Sequence, residues 1–465
     1  MHSISDKLAC EQSSIRSVDI FCNQFNVGAA LKKAHAYKSK GIHALSIVKY
    51  LMCLVYTGKS MFEDMRSKEP LAANFSKDTV YRLMNMACVN WQTFLLTVAA
   101  AAVSFIAHLT SDERRCAFVI DDTMFTRRYG EKVELCSTVY DHADTKEKYK
   151  IGFRLLTLAF TDGYSLIPLC FRHLASRKKE LRKRESNPGI DGRSCGGRIR
   201  KEALMKSNDL ILPMLKRALS FGIPARHVLF DCWFANPVTI IKIAELGLMT
   251  VCRLKNGKAK YLFDGGKSTL SHIYRSCRKR PGKSRYLLSV EVMVCQSGDS
   301  VPARIVYIRD RGNRKKWIAL LSTDMSLSEE EIITLYGKRW DIEVFFKMCK
   351  SYLRLTGEFR QLSYDAITAH TTIIFLRYIM LAVERRKQND PRSLAELFFE
   401  IYDQVGDIRF EKAMQLILSL LHDILHNPLI GLTEEQMDMI HTEFIMGLPD
   451  FLRFCIAPDI MKQIT

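Results

Sequence analysis

The chain of 465 residues is 48% hydrophobic and carries 69 Lys and Arg against 50 Asp and Glu, which gives a net charge of +19 at pH 7. This length allows a sizeable core and about three domains, which favours an enzyme or an assembly and excludes a small binding module. The positive charge exceeds what solubility requires and indicates a polyanionic partner, with nucleic acid first and an anionic membrane surface second.

No targeting segment or membrane span is predicted. The N-terminal sequence MHSISDKLACEQ has no apolar stretch after a basic start, and the most apolar run, FLLTVAAAAVSFIAHL, is shorter than the ~20 residues that a spanning helix needs. The 14 cysteines are scattered singly without a CxxC pair, which argues against a zinc site or a disulfide framework. We therefore expect a soluble cytoplasmic protein with no membrane partner.

Residues 1–112 are predicted to form a helical DNA-binding region. HALSIVKYLMCLVYTG and VNWQTFLLTVAAAAVSFIAHL are apolar-periodic segments with no strand-like alternation between them. In SKDTVYRLMN, Ser76 is a candidate N-cap, and Lys77, Thr79 and Arg82 lie near the start of the helix that follows. This arrangement is compatible with a helix-turn-helix that contacts DNA, and an ordinary helix pair is the alternative.

Residues 113–254 and 326–365 are predicted to form an α/β core. The run CAFVI ends in Asp121 and Asp122, and KIGFRLLTLAF and SLIPLCFRHL flank the turn TDGY as a strand pair. HVLFDCWFANPVTIIKIAELGLMTVCRLK predicts a strand that ends at Asp231, a helix and a second strand. This βαβ pattern is typical of a mostly parallel sheet.

Two basic segments lie among these elements. The first, from Arg177 to Lys201, contains glycine and lacks apolar periodicity, so it is predicted to be a flexible loop. Lys178, Lys179 and Arg182 within it are candidate phosphate contacts. The second segment runs from Arg275 to Arg285. Solvated linkers are the alternative for both segments.

Residues 255–325 are predicted to be a β-rich insertion, because short alternating runs such as RYLLSVEVMVC and ARIVYIRD are separated by Gly, Pro and basic clusters. A helix is predicted to follow from Ser328. Residues 366–465 are predicted to form a helical C-terminal region.

The helix YGKRWDIEVFFKMCK carries a regular polar stripe. At about 100° of rotation per residue, Tyr336, Arg339, Glu343 and Lys350 fall within a sector of roughly 60°. Apolar residues cover most of its other sides, so we expect a largely buried helix. The polar edge is either a solvated edge in which Glu343 pairs with Lys347, or part of a site.

Three acidic residues are predicted to meet at one edge of the sheet. Asp121 and Asp231 lie at the ends of two strands that would be neighbours in the sheet. A helix packed across this edge, or rim, of the sheet can bring Glu343 close to the two aspartates. Oxygen ligands of this kind suit two Mg²⁺ or Mn²⁺ ions, which can activate a water or a 3′-hydroxyl in phosphoryl transfer. The other residues of the stripe would then hold the flanking phosphates. For each aspartate taken singly, turn capping is the ordinary alternative.

The spacing of Tyr336, Arg339, Glu343 and Lys350 resembles the Tyr-Arg-Glu-Lys signature of bacterial insertion-sequence transposases of the "insertion sequence 4" family. These are DDE enzymes on a ribonuclease H-like fold. FVIDDT and LFDCWF resemble the first and second aspartate motifs of that family. The resemblance covers roughly residues 115–360.

The resemblance implies a ribonuclease H-like catalytic core with an all-β insertion between the second aspartate and the glutamate. It implies that Asp121, Asp231 and Glu343 are catalytic and bind two Mg²⁺ or Mn²⁺ ions. The family pattern Asp-x-Thr selects Asp121, and a shift by one would make Asp122 the ligand. The helical N-terminal part is implied to bind the terminal repeats of the element.

The resemblance also implies contacts with DNA. The other three residues of the stripe would contact the DNA backbone and act in end processing. In relatives that close the excised end into a hairpin, a flipped base stacks on an aromatic of the insertion, and Trp317 resembles that residue in position. Arg314 and Lys315 beside it would hold the strand. The alternative is that Trp317 starts the strand WIALLSTD and packs into the β core.

The expected function is therefore a DNA transposase that cleaves element ends and joins them to target DNA. Its partner is double-stranded DNA, it is expected to dimerise in the synapsed complex, and it is expected in the bacterial cytoplasm with the nucleoid. A nuclease of the same fold without strand transfer and a domesticated DNA-binding protein without chemistry remain the alternatives.

Overall fold

The computed structural model of the protein describes residues 13–37, 40–67, 71, 75–110, 114–141, 147–280, 284–310, 316–357, 361–387, 394, 421, 424–426 and 431–447. Arg314 and Lys315 lie outside the described residues. Two compact units are distinguished, one of residues 18–55 and 59–397 and one of residues 1–17, 56–58 and 398–465. The described part of the second unit includes the helix Glu434–Gly447.

The described residues before the sheet are helical. The helices are α1 (Ser13–Gln24), α2 (Val27–Lys33), α3 (Ala44–Leu54), α4 (Met61–Arg66), α5 (Lys77–Met84) and α6 (Trp91–Ala107). Asn90 begins α6, because its side chain accepts a hydrogen bond from the Thr93 amide. Ser76 occupies the N-cap position of α5, but its side chain makes no capping hydrogen bond.

Eleven described strands form one sheet. They are β1 (Ala117–Thr126), β2 (Ser137–Tyr140), β3 (Tyr149–Thr161), β4 (Leu166–Leu174), β5 (His227–Phe230), β6 (Met249–Leu254), β7 (Lys260–Phe263), β8 (Gly266–Thr269), β9 (Leu288–Gln296), β10 (Asp299–Arg309) and β11 (Trp317–Ser322). Their order in the sheet is β2-β3-β1-β5-β6-β11-β10-β9-β7-β8, with β4 paired to β3.

The expectation of a mostly parallel sheet is wrong. Only the pairs β1–β5 and β5–β6 are parallel, and the other pairings among the described strands are antiparallel. The predicted βαβ unit is confirmed, with helix α9 (Pro237–Ala244) between β5 and β6. Short turns join the antiparallel pairs β3–β4, β7–β8 and β9–β10, and the first of these turns contains Gly163, whose φ of +84° favours glycine.

The segment 255–325 extends this sheet, since β11 pairs with β6. The expectation that the insertion is all-β is wrong, because helix α10 (Leu270–Ser276) lies between β8 and β9. Thr269 caps this helix by accepting a hydrogen bond from the His272 amide, and Leu270 and Ile273 are buried one turn apart.

The predicted flexible loop from Arg177 to Lys201 is also partly wrong. It contains a 3₁₀ turn and the first residues of helix α7 (Cys195–Ala203), which is followed by α8 (Ser207–Ser220). Ser194 begins α7, since its hydroxyl accepts a hydrogen bond of 2.9 Å from the Gly197 amide.

The polar stripe lies on a helix that is interrupted once. α11 (Glu329–Gly337) starts at a capping box between Ser328 and Glu331, a 3₁₀ turn covers Lys338–Trp340, and α12 (Asp341–Ser351) follows. Val344, expected on a buried side, is 49% exposed.

Helix α13 (Tyr364–Lys387) is the one helix among the described residues that is long and apolar enough to cross a membrane, and its apolar window is entirely buried inside the protein.

Candidate active site

The parallel pairing of β1 and β5 brings Asp121 and Asp231 to one rim of the sheet. Ile120 lies opposite Phe230 in this pairing, so the residues that follow them are level. Asp121 continues β1, and Asp231 directly follows the last residue of β5. Burial raises the pKa of Asp121, and the negative charge of Asp231 adds to this shift, as expected for neighbouring carboxylates.

Arg339 joins Asp121 to Glu343. Its Nη1 donates to Asp121 Oδ2 at 2.8 Å, and its Nη2 donates to Glu343 Oε1 at 2.7 Å. Glu343 thus pairs with Arg339, one helical turn earlier. It does not pair with Lys347, as it would if the polar edge were a solvated edge of the helix. The stripe therefore faces the aspartate rim and holds the glutamate beside it.

The two ends of the stripe contact the same rim. Tyr336 Oη donates to Asp231 Oδ1 at 3.3 Å. Lys350 Nζ donates to Thr123 Oγ1 in β1 at 2.7 Å. All four residues of the stripe consequently lie along the edge formed by β1 and β5, despite the 3₁₀ turn within the helix.

Asp122 has a different environment. Successive residues of a strand point to opposite faces of the sheet, and the carboxylate of Asp122 is bound by the Nε and Nη2 atoms of Arg154 on β3. Its charge is already neutralised by this ion pair. The geometry therefore favours Asp121 over Asp122 as the acidic residue of the rim.

Burial dominates the electrostatics of the rim. It raises the pKa of Asp121 to about 7, although the Arg339 guanidinium opposes this shift. Burial also raises the pKa of Tyr336, so its hydroxyl stays protonated at neutral pH. The pKa of Lys350 is lowered by burial. A cation beside Asp121 would therefore favour the ionised carboxylate.

The residues of the rim fit a divalent metal ion in charge and donor type. Among the described residues, no three His, Cys, Asp or Glu side chains form a metal-binding group, and Arg339 lies between the carboxylates of Asp121 and Glu343. The positive guanidinium of Arg339 balances the negative charges of these two carboxylates, as a metal cation at this position would. Carboxylate oxygens are the ligands that Mg²⁺ and Mn²⁺ prefer.

Two exposed tryptophans beside the rim were not identified from the sequence. Trp233, two residues after Asp231, is 55% exposed, and the Lys255 ammonium lies 5.0 Å from its ring centroid. Trp340, between Arg339 and Glu343 in the sequence, is 60% exposed. The available signal was their position inside the two motifs that the sequence singles out, LFDCWF for Trp233 and YGKRWDIEVFFKMCK for Trp340.

Trp317 packs among aromatic side chains of the insertion. Its ring is stacked on Tyr274 with centroids 5.2 Å apart and meets the edge of Tyr307 at 5.0 Å. These contacts favour the β-core alternative for Trp317 over the base-stacking role.

We expect Trp317→Ala to lower the free energy of unfolding by about 2–4 kcal/mol, because it removes a large side chain from an aromatic cluster. The rates of nicking at the element ends and of the steps that follow nicking should then decrease by the same factor. Thermal unfolding and a denaturing gel of the reaction products check this, with exposed Trp340→Ala as the stability control. A stable Trp317→Ala protein that accumulates nicked, unhairpinned ends would instead support the base-stacking role.

The candidate phosphate contacts of the basic segment have different surroundings. Arg182 is bound within the protein, since its Nη1 donates to the carbonyls of Ser176 and Arg177 and its Nε to Glu185. Lys178 and Lys179 are exposed. The lysines are thus accessible to DNA, whereas Arg182 holds the segment in place.

Replacing Lys178 and Lys179 with glutamine should flatten the slope of log affinity for DNA against log salt by about one unit per lost phosphate contact. Arg182→Gln should instead lower thermal stability. Filter binding at several salt concentrations measures the slope. An unchanged slope in the double lysine variant would favour the solvated-linker alternative.

The chain matches one protein-family model and is similar to solved structures. A family model described as DDE superfamily endonuclease matches residues 52–315, a range that contains Asp121 and Asp231 and ends before Glu343. A cryo-EM structure of a piggyBac transposase synaptic complex with hairpin DNA is similar at 12% sequence identity, covering 97% of this chain and 92% of that chain with a TM-score of 0.45. No curated protein sequence matches this chain.

Proposed function

Because the chain belongs to the DDE superfamily endonucleases, we propose that it is a DNA transposase that cleaves the ends of a bacterial insertion sequence and joins them to target DNA. The observation that carries this proposal is the placement of the signature residues. Tyr336, Arg339, Glu343 and Lys350 have the spacing of the "insertion sequence 4" signature and lie along the rim that holds the two aspartates.

We propose a ribonuclease H-like core for this enzyme. The central strands run in the order β4-β3-β1-β5-β6, with β4, β3 and β1 antiparallel and β5 and β6 parallel to β1. This order supports the proposal, because it places Asp121 on the central strand and Asp231 at the end of its neighbour.

Asp121, Asp231 and Glu343 would hold two Mg²⁺ or Mn²⁺ ions in this proposal. When bound, such ions would activate a water or a 3′-hydroxyl and would stabilise the leaving oxygen. Arg339 holds the carboxylates of Asp121 and Glu343 at fixed positions through its two hydrogen bonds. The residues of the chain thereby set the acidic groups in place before the substrate binds.

The remaining stripe residues would act on the DNA backbone. The protonated hydroxyl of Tyr336 can donate a hydrogen bond, and the ammonium of Lys350 lies at the same rim. Both are groups that contact phosphate oxygens. The net charge of +19 supports double-stranded DNA as the partner, both as terminal inverted repeats and as target. We further propose a dimer in the synapsed complex and a location with the bacterial nucleoid in the cytoplasm.

Strand transfer is tested with element-end duplexes that carry either a 3′-hydroxyl or a 3′-deoxy terminus, taken from the inverted repeats that flank the gene. The proposal predicts that, in Mg²⁺, only the 3′-hydroxyl duplex becomes covalently joined to a supercoiled plasmid. An endonuclease without strand transfer is the second candidate, which the family description favours. It would nick the plasmid equally with both duplexes and join neither.

A further inference from the structure

Exposed residues continue the carboxylate rim on the side of β6. Phe230 of β5 pairs with Cys252 of β6, so the residues that follow them run level along the same edge of the sheet. Trp233 lies two residues after Asp231, and the Lys255 ammonium lies 5.0 Å from the centroid of its ring. The edge next to Asp231 is therefore formed by an exposed indole ring and a lysine.

The lysines on this side of the rim have no acidic partners. Lys255, Lys258 and Lys260 are exposed, and none of them forms an ion pair with a carboxylate of the described residues. The sequence from Arg253 to Lys267 contains five basic residues and one acidic residue. Like charges that lie close together repel one another, so binding of a polyanion that neutralises them is favourable.

The basic residues on the other side of the rim are already neutralised. Arg154 on β3 is paired with Asp122, and Lys150 Nζ lies 2.9 Å from Asp141 Oδ2. Residues 122–154 include seven basic and six acidic residues. The two sides of the rim consequently differ in charge, because the side of β6 has positive charges that are not balanced within the protein.

The lysines are close enough to the rim to contact a DNA strand that is bound there. Two residues of chain span at most about 7 Å, so the backbone of Trp233 lies within that distance of the backbone of Asp231. The phosphates of one strand follow one another at about 3.4 Å along the axis of a duplex. Lys255 and Lys258 can therefore reach phosphates within about four nucleotides of a phosphate bound at Asp231.

The contact with Trp233 prepares Lys255 for binding an anion. A cation over the face of an indole ring is attracted by the ring, which restricts the motion of the lysine side chain. Since Trp233 is 55% exposed and Lys255 is also exposed, the ammonium stays accessible from outside the protein. The entropy that is lost when this lysine contacts a phosphate is thereby reduced.

From these observations we propose that Lys255 and Lys258 bind phosphates of DNA on one side of the scissile phosphate, the side that lies over β6. Trp233 is the positioning residue for Lys255. This inference rests on the proposed function, because it takes the carboxylate rim as the place of cleavage. It adds that the phosphate contacts next to the cleaved bond are concentrated on one side of that bond.

Binding of duplexes in which single phosphates are replaced by uncharged methylphosphonates tests this proposal. The duplexes carry the inverted repeats that flank the gene, and Mg²⁺ is omitted so that no strand is cut. For the wild type, we expect methylphosphonates at about two successive positions, on one side of the cleavage site and within about four nucleotides of it, to weaken binding about tenfold each. Lys255→Gln/Lys258→Gln should bind the unmodified duplex more weakly and should lose sensitivity to methylphosphonates at these positions only.

Lys206→Gln/Lys216→Gln is the matched control, because it also removes two exposed lysines and should keep the wild-type pattern. Trp233→Ala should reduce the sensitivity at the position contacted by Lys255 about threefold, since the ammonium is no longer held by the ring. An unchanged pattern in Lys255→Gln/Lys258→Gln, or an equal loss of sensitivity on both sides of the cleavage site, would overturn the proposal.

The wild-type protein separates failure of this inference from failure of the proposed function. If it cuts element ends in Mg²⁺ but shows no one-sided sensitivity to methylphosphonates, the phosphate contacts are wrongly assigned and the proposed function stands. If it neither binds nor cuts the element ends, both are contradicted.

Discussion

Asp121→Ala, Asp231→Ala and Glu343→Ala are each expected to lower Mg²⁺-dependent cleavage of plasmid DNA carrying the element ends by about a thousandfold. Loss of a carboxylate that holds a catalytic ion affects the transition state, whereas DNA affinity depends on phosphate contacts elsewhere. End binding should therefore change little. Gel assays of nicked plasmid and a gel-shift titration measure the two quantities.

Asp122→Ala is the matched control for the first of these variants. Asp122 is adjacent in the sequence but is paired with Arg154, away from the stripe. We expect it to retain most of the cleavage activity that Asp121→Ala loses. Wild-type rates in all three rim variants would refute the assignment, and an inactive Asp122→Ala with an active Asp121→Ala would shift the register by one residue.

Arg200→Ala is expected to lower the free energy of unfolding by about 3–5 kcal/mol, the usual cost of removing one partner from a buried ion pair. Arg200 is 5% exposed and binds both Glu134 and Asp365, which are 3% and 2% exposed. The substitution leaves two buried carboxylates without their counterion. Urea denaturation of the variant and the wild type measures the difference.

Arg193→Ala provides the comparison for this prediction. Arg193 lies in the same segment and pairs with Asp191, but its side chain is 91% exposed. An exposed ion pair contributes little to stability, so we expect the free energy of unfolding of Arg193→Ala to differ from that of the wild type by less than about 1 kcal/mol. Equal stability of the Arg200 and Arg193 variants would show that the buried network does not stabilise the fold.

The position of the rim could be predicted because its signals are local. An apolar run that ends in an aspartate marks the end of a buried strand, and the spacing of Tyr336, Arg339 and Glu343 places them on one helix face. The three-residue 3₁₀ turn did not disturb this face enough to turn any of these residues away from the sheet.

Features that depend on distant partners were not predictable. Strand direction was misjudged because pairings such as β11 with β6 join segments that are far apart in the sequence. Arg200 belongs to a segment that has the composition of a loop, yet it is buried by partners 66 and 165 positions away. A single sequence shows the charges of such residues but not the contacts that neutralise them.

Binding of Mn²⁺ to the protein–DNA complex, followed by electron paramagnetic resonance, tests the central assignment most directly. The wild-type complex is expected to bind two Mn²⁺ ions per chain, and Asp121→Asn, Asp231→Asn and Glu343→Gln should each weaken this binding at least about tenfold, since each removes a charged ligand. Asp122→Asn should bind Mn²⁺ as the wild type does. Equal Mn²⁺ affinity in the wild type and all three rim variants would contradict a metal-dependent catalytic centre at this rim.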